Sequence, residues 1–139
     1  MNVYDKILTC LFLLAIITWQ ALHQSKLFKE NKTINHFFKG LLYAGSVLLG
    51  SAPFVAAFGL WYLLKIGILG VLCRLAFFDL ILNMARKEVW WYNGSMTATD
   101  IKVKGSCWDK IENRLPIPVL KALKIDYIIF FIVYVIYLK

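Results

Sequence analysis

From Leu41 to Ala85 the chain is apolar except for scattered polar groups, and only Lys65, Arg74 and Asp79 carry charge. One bilayer crossing takes about 20 residues, so this run is too long for one and fits two joined by a tight turn. Lys65 and Gly67 mark the expected turn, with Trp61 and Tyr62 as its interfacial aromatics. The same arithmetic forces Arg74 and Asp79 into the hydrocarbon. An ionised group there costs roughly 2.5–3.5 kcal/mol on insertion scales, so a chain that keeps two has a structural or functional use for them.

The rest of the chain agrees with a membrane setting. A soluble domain of 139 residues could not hide a composition that is 60% hydrophobic and 16% aromatic. In lipid, only helices and closed barrels satisfy their own backbone groups. Barrel strands would alternate apolar and polar residues, and LLYAGSVLLGSAPFVAAFGLWYLL does not. The expected fold is an all-α integral membrane protein, a single transmembrane domain over residues 1–139. Its four transmembrane helices lie near 3–23, 41–64, 66–86 and 119–138, with cytoplasmic connections at 24–40 and 87–118. Three crossings with a re-entrant middle segment is the alternative. Trp19 suits an interfacial anchor. No small-x-small cleavage site follows the first run, which favours an uncleaved anchor over a secretory signal.

Charge orients the helices. Among the 16 lysines and arginines, Arg74 falls in the hydrocarbon. Lys6, Lys65 and Lys139 lie on the side of the termini, and the rest lie on or beside the two connections. The positive-inside rule therefore places the connections in the cytoplasm and both termini outside. This distribution also accounts for the net charge of +8: it attracts anionic headgroups, and no nucleic-acid motif accompanies it. Sequons at Asn31-Lys32-Thr33 and Asn93-Gly94-Ser95 fall on the cytoplasmic side, where the charge count outweighs them.

The second connection carries its own pattern. Trp90, Trp91 and Tyr92 read as an aromatic belt, and Asn93-Gly94 as a turn. Ser106 and Asp109 have capping-box spacing. They open a short interfacial helix with Trp108, Ile111 and Leu115 on one apolar face and Lys110 and Arg114 opposite. Pro116 and Pro118 end it. In the last run, Lys121 and Lys124 are expected to snorkel to the interface.

Candidate site residues gather on the third helix. Asp79, Asn83 and Arg86 share a face at i, i+4 and i+7, whereas Arg74 points about 140° away from Asp79. Asp126 lies about one turn into the fourth helix, at a depth near that of Asp79. This intramembrane polar cluster reads either as a pocket for a headgroup or small anion, or as an internal clamp. In the clamp, Asp79 pairs with Arg86 or with a charge on another helix, Asn83 or Arg86 on its own face being favoured, and Arg74 takes an acceptor from another helix. On the second helix Gly45, Ala52, Ala56 and Gly59 form a seam of small residues suited to close packing, and Gly50-Ser51-Ala52-Pro53 suggests a kink.

Catalytic and metal signatures are missing. Cys10, Cys73 and Cys107 are scattered and odd in number, and with His23 and His36 they give no metal spacing. Ser51 has no base within the bilayer. No cofactor fingerprint occurs.

The strings RLAFFDLILN and WYNGSMTATDIKVKGSCWDKI resemble a stretch in small uncharacterised membrane proteins of Bacteroides-group bacteria and their phages. Arg74, Phe78, Asp79, Asn83, Tyr92, Gly94, Asp109 and Lys110 are the matching positions. The resemblance covers about a third of the chain. It departs at Leu80, where the family pattern has proline, and in a longer loop between Gly94 and Trp108. It implies a bacterial or phage membrane, the inner membrane of a bacterium fitting best, and no assigned activity.

Three functional readings stand at this point. The first is a non-catalytic membrane protein whose basic cytoplasmic loops engage lipid or a protein partner. The second is a holin-like or channel-forming homo-oligomer. The third is a small lipid-modifying enzyme built on Asp79, Asn83 and Asp126.

Overall fold

The computed structural model describes residues 3–30, 36–91, 111–112 and 114–138, the side chains at 28, 36, 37, 53, 54, 57 and 58 aside. Its described residues are helical apart from short turns and links. Four long helices follow in order: α1 (Val3–Lys29), α2 (His36–Phe58), α3 (Leu60–Arg86) and α4 (Ile117–Tyr137). Two segments are long and apolar enough to cross a membrane, Val3–Leu27 and Leu60–Arg86.

Each boundary has a local cause. In α1, Asp5 sits in the first turn and Lys26 and Lys29 in the last, matching the positive and negative ends of the helix dipole. Gly59 separates α2 from α3 with φ +84° and ψ 174°, backbone that is open essentially to glycine alone. The turn expected at Lys65 and Gly67 is therefore displaced to Gly59, and both residues lie inside α3. A charge had been taken as the break where the chain instead uses a conformation only glycine reaches. α3 ends in a Schellman-type closure: Lys87 adopts φ 62° and donates to the Met84 carbonyl, and the Glu88 amide donates to the Asn83 carbonyl. Pro116 precedes α4 and Pro118 sits in its first turn, where a missing N–H is harmless.

α3 is the hub, packing against α1, α2 and α4, while α1 also touches α2. Its inward residues Tyr62, Ile66, Leu69, Cys73 and Ala76 alternate steps of four and three, the repeat that keeps one seam facing a neighbour. Leu13, Ile17 and Ala21 of α1, Tyr43 and Val47 of α2, and Tyr127 and Phe131 of α4 complete the core. Phe77 meets Phe131 edge to face, with ring centroids 5.1 Å apart, a favoured aromatic geometry.

The small-residue seam does not pack inside the bundle. Ala52 and Ala56 are exposed, a Cβ on Gly45 would meet open space, and Gly59 ends the helix. The close approach lies instead at Gly50, where an added Cβ would run into the Phe12 ring of α1. α2 passes through Gly50–Pro53 as one helix. Trp108 and most of the expected interfacial helix lie outside the described residues. Of the remainder, Ile111 is exposed, Leu115 is half-buried, and Glu112 between them is buried.

Candidate functional site

Polar groups line the inner face of α3 in tiers. At the end nearer the termini, the Thr9 and Tyr62 hydroxyls share a 2.9 Å hydrogen bond. Lys6 donates to the Ile136 carbonyl at 3.0 Å, where the last turn of α4 leaves acceptors unfilled.

The middle tier is built around Arg74. Its guanidinium donates to Gln20 Oε1 of α1 at 2.8 Å. It also lies 5.1 Å from the Tyr43 ring centroid and 4.4 Å from that of Phe78, within cation–π range. Gln20 in turn reaches the Lys39 carbonyl at 3.3 Å, and the Tyr43 hydroxyl donates to the Gly70 carbonyl at 2.7 Å. Arg74 thus finds its acceptor on another helix, as the sequence led one to expect, and one residue ties α1, α2 and α3 together.

The upper tier centres on Lys124. Its Nζ lies 2.6 Å from Asp79 Oδ2 and 2.7 Å from Glu112 Oε2, and the Tyr127 hydroxyl donates to Glu112 Oε1 at 3.3 Å. Lys124 is 6% exposed and Glu112 1%. Lys124 therefore does not snorkel outward; it turns into the bundle and binds α3, α4 and the segment before α4 at one point. The partner of Asp79 is this lysine, a charge on another helix, and not the favoured Asn83 or Arg86 of its own face. Asn83 is buried and donates to the Trp90 carbonyl at 3.2 Å, holding the turn after α3. Lys121 lies 5.2 Å from the Trp91 ring centroid.

The expected cluster is therefore split. Asp79 joins the Lys124 tier and Arg74 the Gln20 tier, Asn83 serves the following turn, and Arg86 is half-buried at the end of α3. Asp126 is exposed on the opposite face of α4 from Lys124, because two residues along a helix turn a side chain by about 200°. Lys124, Glu112 and Gln20 were missed. The steps from Leu120 to Lys124, Tyr127 and Phe131 place Lys124 on the inward face, and Gln20 continues the Leu13–Ile17 face of α1; both signals were in the chain.

This geometry holds charge and helices in place. Ser51 donates to the Leu48 carbonyl within its own helix, and Cys73 is fully buried. Among the described residues no group of three or more histidines, cysteines and acids could hold a metal ion. A small open cavity of about 270 Å³ is lined by Lys65, Tyr134, Tyr137 and Leu138. No family model, curated protein or solved structure matches the chain.

Proposed function

We propose that this chain is a non-catalytic multi-pass membrane protein. It crosses the bilayer four times, with both termini outside, and engages anionic lipid or a protein partner through its basic cytoplasmic connections. One observation carries the reading: around its apolar core the bundle exposes large apolar side chains while it buries charged and polar ones. Leu49, Leu60 and Trp61 are 80%, 77% and 76% exposed, and Phe130 60%, while Lys124, Glu112 and Asn83 are buried. Soluble monomers rarely expose contiguous apolar patches of this extent, and a bilayer accommodates both halves of the pattern.

The two segments long and apolar enough to cross support two of the spans, and the charge content of α2 and α4 is compatible with the other two. α2 has no charged residue after Lys39. α4 carries Lys121, Lys124 and Asp126, but Lys124 is neutralised by Asp79 and Glu112 and Lys121 stacks on Trp91. The non-catalytic reading rests on the same pairing, which commits Arg74, Asp79, Glu112 and Lys124 to holding helices. The resemblance noted above favours a bacterial inner membrane.

The test joins topology to binding. Single cysteines at Lys29 and Glu88 should both be labelled from the cytoplasmic side; labelling of both from outside reverses the orientation, and opposite sides remove a crossing. In nanodiscs, replacing zwitterionic by anionic lipid should raise the melting temperature in low salt, since each Lys or Arg near such a surface gains about 1 kcal/mol. An unchanged melting temperature shifts the basic connections to a protein partner.

A further inference from the structure

Asp126 is the one intramembrane candidate that the bundle leaves unserved. Its carboxylate is exposed, and no hydrogen bond or ion pair reaches it among the described residues. Around it the outward face of α4 is apolar, with Ile129, Phe130 and Val133 all exposed. Aspartate is too short to snorkel as lysine does, and ionisable groups in membrane segments pair with one another or face water.

Resting on the membrane reading above, we infer that the outward face of α4 docks a second copy of this chain, with Asp126 paired to Lys39 of the neighbour. Two copies inserted in the same sense are related by rotation about the bilayer normal. A contact between different helices then forms only between residues at equal depth. α3 serves as the ruler for that depth. Tyr43 reaches the Gly70 carbonyl and lies beside Arg74. Lys39, which lies inside α2 instead of in the connection expected at 24–40 and is one turn nearer that connection than Tyr43, therefore stands between the levels of Arg74 and Phe78. On α4, Lys124 meets Asp79, and Asp126, two residues on, stands near the level of Phe77. The two depths agree to within about one helical turn, ~5 Å, which the flexible four-carbon stem of lysine spans. Lys39 is half-buried, and no partner reaches its ammonium among the described residues. A contact between α4 of one copy and α2 of the next is head-to-tail, so it extends beyond a pair and closes into a ring where the rotation between copies allows.

Charge reversal and cross-linking test this. In mild detergent, Asp126→Lys alone and Lys39→Asp alone should each shift the wild-type oligomer toward monomer by about tenfold, in line with interhelical polar contacts in membranes. The double variant Asp126→Lys/Lys39→Asp should restore the oligomer. With Cys10, Cys73 and Cys107 replaced by alanine, oxidation of a chain bearing Lys39→Cys and Asp126→Cys in native membranes should give a ladder extending beyond the dimer. A monomeric wild type, or single reversals without effect, overturns the interface. A product that stops at the dimer overturns the head-to-tail arrangement. Alkaline carbonate extraction separates the two levels: release from the membrane fails the membrane reading itself, whereas a retained monomer fails the interface alone.

Discussion

Replacing Lys124 with methionine keeps the length of the side chain and removes the cation that two carboxylates share. Its Nζ lies 2.6 Å from Asp79 Oδ2 and 2.7 Å from Glu112 Oε2, so those oxygens stand no more than about 5 Å apart. Without the lysine, two unit charges at that separation repel by about 3 kcal/mol at an effective dielectric of 20. That dielectric suits a pair in which the Asp79 side chain is 29% exposed and Glu112 1%. The result agrees with the roughly 3–5 kcal/mol seen when one partner of a buried ion pair is deleted. Lys124→Met should therefore lower unfolding stability by about 3 kcal/mol. Asp79→Asn leaves Lys124 paired with Glu112 and should cost less, about 1.5–2 kcal/mol, the low end of the range for a hydrogen bond to a charged group. Adding Asp79→Asn and Glu112→Gln to Lys124→Met removes the stranded charges and should recover most of the loss, because neutral replacements of whole buried ion clusters are tolerated. Unfolding titrated with a denaturing detergent measures all three. A Lys124→Met protein as stable as wild type would refute the assignment of Lys124 as the tie between α3, α4 and the Glu112 segment.

Arg74→Lys should cost about 1–2 kcal/mol in the same titration, because a lysine keeps the charge but loses the planar stacking on Phe78 and Tyr43. Gly50→Ala drives a methyl into the Phe12 ring and should destabilise by about 1–3 kcal/mol, the usual range for overpacking. Gly45→Ala meets open space and should be neutral or mildly stabilising, judged by the melting temperatures of the two variants side by side. Gly59→Ala places a side chain at φ +84° and should cost about 1–3 kcal/mol, whereas the exposed Ala52 should accept leucine without loss; equal melting temperatures for those two variants would contradict the boundary at Gly59.

The helices themselves were legible because long apolar runs without strand-like alternation report helix directly. The break between α2 and α3 was not, since Lys65 looks more like a turn than Gly59 does. Only the backbone angle, which no composition reveals, tells them apart. Arg74 was read correctly as needing an acceptor on another helix, because its own face offers none. For Asp79 a charge on another helix was one of the readings, but Asn83 and Arg86 ranked above it, because periodicity ranks neighbours within one helix and is silent about which residue the antiparallel α4 brings alongside. Lys124 was assigned to the interface by its residue type, although its register with Leu120, Tyr127 and Phe131 pointed inward. The seam on α2 misled for a related reason: small residues at helical spacing say that a close approach is possible, and not which side it faces.

The Lys124 tie has a consequence for how such a chain is made. Under the proposed topology α4 leaves the ribosome after α3, with Lys121, Lys124 and Asp126 in its first half, each unfavourable by about 2.5–3.5 kcal/mol near the centre of an inserting segment. Alone it would be a poor candidate for lateral release into lipid. By then, however, α3 is already embedded and holds Asp79 ready, and Glu112 has emerged just ahead of α4. In that topology, integration of the fourth helix would depend on the third. A nascent chain lacking Asp79 would leave its C-terminal helix stranded at the surface, where quality-control proteases find their substrates.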